Sequence, residues 1–251
     1  MAQIKQQLAG VDPDLIYNID ETGLLYRGLS SRSYVQADER RTARGSKVMR
    51  SKDRVTLTLC CNATKSHKLP VAMIGKAVQH LCFTGQGNAC SLPYFSQRSA
   101  WTDGTVFKMW FEEVFGQAIR SRTGSDVFLI LDNLRCHAGI SNLQVTIVEL
   151  PPNMTAIYQP LDAGAIAELQ RRYKPRLLVR VVGSLDRLAA TSGPAPRIPR
   201  GGGLDQGGQA HLMDAVKILL DEWQSMSAEQ LANCCIKADV LPTEAMAEVR
   251  R

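Results

Sequence analysis

Asp126-Val-Phe-Leu-Ile-Leu-Asp132 is an unbroken apolar run with a carboxylate at each end. It is too short for a helix and has no polar face, so it reads as a strand covered on both sides at the centre of a sheet. Asp132 then ends that strand. A second segment of the same kind, Asp14-Leu-Ile-Tyr-Asn-Ile-Asp20, runs into Glu-Thr-Gly and reads as another buried strand, with Asp20 at its carboxyl end. Arg54-Val-Thr-Leu-Thr-Leu-Cys-Cys61 alternates with period two, and Lys68-Leu-Pro-Val-Ala-Met-Ile-Gly75 follows after a polar break, which suggests an antiparallel meander. Pro70 has no amide donor and belongs at a strand start or an edge. Val145-Thr-Ile-Val-Glu-Leu150 gives a further strand, stopped by Pro151-Pro152.

Between these strands the period changes. Val106, Phe107, Trp110, Phe111, Val114, Phe115, Ala118 and Ile119 recur at helical spacing, with Thr102 as the expected N-cap and Gly124 as the stop. Their rings share one face, so they are read as core rather than as a base-stacking platform. Asp162 opens a helix through Ile166, Leu169, Tyr173 and Leu177, which Pro175 is expected to kink or shorten. Residues 183–210 offer neither periodicity nor core residues and read as a Gly/Pro-rich disordered linker. Helical spacing resumes at residues 211–223 and 227–237, as a small terminal unit. The expected division is therefore a sheet-forming domain over 1–182, the linker over 183–210 and a helical segment over 211–251.

With 251 residues, 45% of them apolar, the chain can bury a substantial core. Its start has no apolar stretch of signal-peptide length, and no long apolar run follows, so secretion and membrane spanning are not expected. Seven cysteines without a Cys-x-x-Cys pair fit neither a disulfide framework nor a typical zinc site and are read as reduced and intracellular. A formal charge of +6 favours a polyanionic partner.

Asp20 and Asp132 end separate strands, and Asp162 enters a helix 30 residues after Asp132. Such a trio can converge at one edge of a mixed sheet. Short carboxylates suit a hard cation such as Mg²⁺, which keeps several waters and takes substrate phosphate into its shell. Aspartates also follow strands as turn formers and helix caps, so position alone does not separate a nuclease from another metal-dependent phosphoryl-transfer enzyme.

The neighbouring words are more specific. Tyr17-Asn-Ile-Asp-Glu-Thr-Gly23, Leu131-Asp132-Asn133 with His137, and Leu150-Pro-Pro-Asn-Met-Thr155 running into Gln159-Pro-Leu-Asp-Ala-Gly164 resemble the catalytic blocks of pogo/Tigger/jerky transposases. That family is allied to centromere protein B and the mariner superfamily. Ser51-Lys-Asp-Arg-Val-Thr56, Lys68-Leu-Pro70, Ile74-Gly-Lys76 and Trp101 extend the resemblance. Leu134-Arg135-Cys136 and Ala163 depart from it, standing where a small residue with proline and a glutamine are usual.

The resemblance implies an α/β, RNase H-like fold: a mixed five-stranded sheet flanked by helices, with a small C-terminal helical appendage. It also implies that Asp20, Asp132 and Asp162 are the catalytic carboxylates and metal ligands, using Mg²⁺ or Mn²⁺ to cleave DNA phosphodiesters and transfer strands. The reading kept open beside it is a catalytically silent, domesticated or degenerate DNA-binding relative, and a metal-dependent RNase is a weaker third. The first catalytic strand begins by about Asp14, so the sequence as read lacks the family's helix-turn-helix recognition region. Affinity is then expected to be mostly charge-driven. DNA is the expected partner and the nucleus the expected location, with a homodimer admitted and no membrane.

Asn133 and His137 are expected in supporting roles. Glu21, one residue past Asp20, should point to the opposite strand face and is read as structural rather than as a ligand. Arg40, Arg41, Arg44, Lys47, Arg50, Lys52 and Arg54 form a cluster dense enough for DNA phosphates. Arg171, Arg172 and Lys174, with Arg176 and Arg180, either flank the bound strand or form a solvated helix face.

Overall fold

The computed structural model describes residues 1–28, 53–78, 83, 92–137, 144–191 and 212–250. Among the described residues six strands are formed: β1 (Ile16–Leu25), β2 (Arg54–Asn62), β3 (Ala72–Gly75), β4 (Tyr94–Ser96), β5 (Val127–Leu131) and β6 (Val145–Glu149). They make one mixed sheet in the order β4-β3-β2-β1-β5-β6. β1 pairs antiparallel with β2 from Tyr17↔Asn62 to Leu25↔Arg54, and parallel with β5 from Ile16↔Phe128 to Asn18↔Ile130. β1 and β5, the two runs without a polar face, thus lie next to each other in the interior of the sheet.

One face of the sheet is covered by α2 (Gly104–Trp110), a π-helical turn (Phe111–Phe115) and α3 (Gly116–Arg122). Phe107, Trp110, Phe111, Phe115 and Ile119 bury there against Tyr17, Ile19, Leu129 and Leu131. The α2 cap is Asp103, whose side chain accepts the Val106 N–H at 2.9 Å, rather than the expected Thr102. α5 (Ile166–Thr191) lies on the other face and sets Leu169, Tyr173 and Leu177 on Leu57 and Leu59. Pro175 removes one backbone donor, yet α5 runs on through it, because Tyr173 and Leu177 anchor the turns on either side.

Three expectations are corrected. Among the described residues the sheet has six strands, not five: β4 has three residues, too few to show a period. β3 begins at Ala72 rather than Lys68. Lys68 instead sends its Nζ to the carbonyls of Trp223, Gln224 and Met226, each at 2.9 Å, and so closes the carboxyl end of α6 (Leu212–Ser225). Residues 183–191 continue α5, so the segment expected as a linker begins as helix; residues 192–211 lie outside the described residues.

The C-terminal helices share their cores with the sheet. Leu212, Ala215, Val216, Leu219 and Trp223 of α6 share a core with Leu24, Leu57 and Leu161. α7 (Ala228–Ala238) and α8 (Thr243–Val249) bury Ala232, Cys235, Ala245 and Val249 with Ile16, Ile130, Val148 and the N-terminal α1 (Ala2–Gln7). Each large aliphatic group so buried contributes about 1.5–3 kcal/mol, which ties both ends of the chain to the sheet.

Candidate active site

The site lies where β1 passes the end of β5. The β1–β5 ladder ends at Asn18↔Ile130, two residues before Asp20 in β1 and before Asp132, the first residue after β5. Asp20 is 6% exposed; its Oδ1 accepts the Glu21 N–H at 2.8 Å, and its Oδ2 is buried without a hydrogen-bond partner. Burial, then the charges of Asp162 and Glu21, hold the Asp20 carboxyl well above the ordinary carboxylate range, against the Glu21 N–H that pulls it down. Asp162, far along the chain, is thus near enough to act on Asp20.

Asp162 is placed by a buried amide clamp. The Asn18 Nδ2 donates to the Ile130 carbonyl at 3.1 Å and to the Gln159 Oε1 at 3.2 Å, while its Oδ1 accepts the Leu161 N–H at 3.1 Å. Gln159 in turn donates to the Ile19 carbonyl at 2.7 Å. Two residues before Asp20 and three before Asp162, these amides lock β1, β5 and the segment after α4 (Thr155–Tyr158) together. Gly164, at φ 153°, then breaks the π-helical turn Leu161–Ala165, so Asp162 rides on a kinked turn and not in regular helix.

A second group meets at Asp132. One ligand atom each from Glu21, Asp132 and His137 lie within 4.8 Å of one another, a set able to hold a metal ion. The His137 Nε2 is 3.3 Å from a Glu21 oxygen. Its Nδ1 is 3.0 Å from Asp132 Oδ1 but is aligned on the Asp132 carbonyl oxygen at 3.1 Å, so that Oδ1 has close charge without an aligned hydrogen bond. The imidazole is buried against Phe107, ring centroids 4.2 Å apart. Burial pulls the His137 pKa down, but hydrogen bonds with Asp132, Cys136 and Glu21, and the Glu21 charge, override it and lift it to about 12. The ring is thus an imidazolium between two carboxylates.

Glu21 was expected to be structural because strand neighbours point to opposite faces. It does point to the face opposite Asp20, but His137, on the turn after β5, reaches round to that face. Asn133 is exposed and its Nδ2 donates to Glu149 at 3.4 Å, at the end of β6. Asn18 and Gln159, present in the quoted words, carry the clamp that sequence reading did not assign.

Among the expected DNA contacts, Arg40, Arg41, Arg44, Lys47, Arg50 and Lys52 lie outside the described residues. Arg54 stacks on Trp101. Arg171 and Arg172 both pair with Glu168, at 2.7 and 2.6 Å, and Arg176 and Arg180 pair with Glu222 and Asp214 of α6, each at 2.8 Å. That basic stripe braces α5 against α6, whereas Lys174 is exposed. Among the described residues no helix is long and apolar enough to cross a membrane.

A mixed sheet with one acid within a central strand, a second just past the end of its parallel neighbour and a third from a later helical turn defines an α/β fold of the RNase H-like class. The same fold is seen in the Mos1 transposase paired-end complex with left transposon end, at TM-score 0.54 and 12% identity, covering 99% of this chain and 59% of that one. Residues 52–235 match the family model of the DDE superfamily endonuclease, and the chain belongs to that family. It is 33% identical to the jerky protein of Mus musculus over 62% of this chain and 28% of that protein. It is 30% identical to Tigger transposable element-derived protein 4 of Mus musculus over 69% of this chain and 33% of that protein. With CENP-B homolog protein 2 of Schizosaccharomyces pombe it shares 32% identity over 69% of this chain and 34% of that protein. The chain thus spans about a third of the length of these relatives.

Proposed function

We propose that the chain is the catalytic domain of a DDE-type transposase, a divalent-metal-dependent endonuclease that cuts and joins DNA phosphodiesters. One observation carries this reading. A buried carboxylate oxygen of Asp20, within β1, and one of Asp132, just past the end of β5, have no aligned hydrogen-bond donor, and the charge of Asp162 acts on Asp20. Buried polar atoms are ordinarily paired, so these free oxygens are available to a cation.

Asp20, Asp132 and Asp162 would hold Mg²⁺ or Mn²⁺ through oxygen, as hard cations require. Such an ion, when bound, lends electrophilic stabilisation to the phosphate and lowers the pKa of an attacking water. The chain's own groups set up that reaction. The Asn18–Gln159 clamp fixes how far Asp162 stands from β1. His137, held by Phe107 and Glu21, fixes the Asp132 carboxylate and offsets its charge while the site is empty of substrate. In-line attack on DNA needs that rigidity, because a misplaced ligand of about 1 Å costs on the order of a hundredfold in rate.

DNA as substrate is supported by the family, by the chain's net charge of +6 and by relatives whose names are those of transposons and transposases. Nuclear location and a homodimer belong to the same proposal. The test is nicking of supercoiled plasmid with Mg²⁺, with Mn²⁺ and with EDTA. Wild type should nick only with metal, and Asp132→Ala should lose at least a hundredfold. Equal cutting by both proteins would refute the reading; metal-independent binding without cutting would favour a silent DNA-binding descendant.

A further inference from the structure

The three tryptophans are not alike. Trp110 and Trp223 are each 2% exposed, whereas Trp101 is 56% exposed and carries the Arg54 guanidinium over its ring at 3.7 Å. Exposing an indole forfeits one of the largest apolar burials available to a side chain. Nor is Trp101 on a slack loop. Gln97 Oε1 accepts both the Ser99 N–H and its hydroxyl at 2.6 Å, and Gln97 Nε2 donates to the capping Asp103 at 3.2 Å. Thr56 donates to the Ala100 carbonyl at 2.7 Å, and Ala100 itself is fully buried at φ 55°, a left-handed conformation that a non-glycine residue adopts only when its surroundings impose it.

The platform also has a defined address. A Cβ on Gly23 would fall 2.6 Å from Arg54 Nε, so the absence of a side chain there lets the guanidinium lie against β1. Gly23 shares a strand face with Glu21, two residues away, which is about 7 Å along the strand. A fixed, cation-backed aromatic surface therefore stands one side-chain step from the carboxylate group that meets His137.

We propose that Trp101, backed by Arg54, stacks one unpaired nucleobase of a DNA strand that runs past Asp132 on the side where it meets Glu21 and His137. The inference rests on the endonuclease reading for its substrate. Nucleobases offer a flat π-face to an indole whatever their identity, so the platform favours base stacking over sequence readout. In duplex DNA both faces of a base are already covered, so the occupant is a base in a single strand, an overhang or a frayed end.

The test is binding in EDTA, where no cutting occurs, of a short single strand and a blunt duplex, each carrying one 2-aminopurine whose fluorescence reports stacking. Wild type, Trp101→Phe and Trp101→Ala are compared, with unchanged melting temperature as the check on folding. Trp101→Ala should weaken single-strand binding roughly five- to hundredfold and abolish the 2-aminopurine quench, while Trp101→Phe keeps most of both and duplex binding changes less than about twofold. Unchanged single-strand affinity in Trp101→Ala, or equal loss on both DNAs, would overturn the proposal. Absence of metal-dependent nicking by wild type would instead remove the endonuclease reading and leave this binding result standing on its own.

Discussion

Replacing Asp20 by asparagine should stabilise the metal-free protein while abolishing its response to metal. The folded carboxyl is raised by burial and by its acidic neighbours above the ordinary value of 3.8. For an acid shifted in that direction, the native state holds a proton that the unfolded state has released. Stability is thus lost as pH rises from the unfolded value, at about 1.4 kcal/mol per unit, until the folded group also ionises. By pH 7 that deficit reaches on the order of 4 kcal/mol. Asparagine removes the titration but leaves a buried amide beside Asp162, which returns about 1–3 kcal/mol of cost if it is poorly paired. The expected net gain is about 1–3 kcal/mol, or roughly 2–12 °C in melting temperature for a chain of this size. Saturating Mg²⁺ or Mn²⁺ at about 100 times its dissociation constant should add about 2.7 kcal/mol to wild type and nothing to Asp20→Asn. The assay is thermal unfolding by circular dichroism at pH 5 to 8, in EDTA and in metal. If the difference between the two proteins in EDTA does not grow with pH, or Asp20→Asn is the less stable at pH 7, the reasoning fails.

Other expectations follow from the same geometry. Asn18→Leu removes the acceptor of the Leu161 N–H and the donor to the Gln159 Oε1 and should cost about 2–4 kcal/mol in urea unfolding, with a larger loss of nicking than of DNA affinity. Gly164→Ala forces a side chain onto a residue at φ 153°, its Cβ 3.4 Å from the Cys234 sulfur, and should cost at least about 1 kcal/mol while displacing Asp162. Asp14 is pushed up by burial, but hydrogen bonds from Ser66, Thr64 and Arg122, with the Arg122 charge, bring it down to about 2. Because the folded value lies below the unfolded one, its contribution is present above about pH 4 and lost as pH falls towards 2, so Asp14→Asn should flatten the acid limb of the stability profile.

Much of this was legible in the sequence, for identifiable reasons. The two apolar runs that end in Asp20 and Asp132 became the adjacent parallel strands at the centre of the sheet, because a strand without a polar face has nowhere else to go. The aromatic helix was equally readable, although its cap shifted to Asp103, whose side chain reaches the Val106 amide. What escaped depended on contacts between distant residues. Strand alternation gave the direction of Glu21 but not the arrival of His137 from another turn. The pairing of Arg171 and Arg172 with Glu168 was present as helical spacing, whereas Arg176 and Arg180 find their acids on α6. Amphipathic spacing announced the C-terminal helices without naming the surface they cover, and that surface is the sheet's own core.

Anomalous scattering from crystals soaked in Mn²⁺ tests the central claim most directly. A peak within ligand distance, about 2.0–2.3 Å, of oxygens from Asp20, Asp132 and Asp162 is predicted, and it should vanish in Asp132→Ala. Scattering confined to Glu21, Asp132 and His137, or none near Asp20 at saturating metal, would contradict the account.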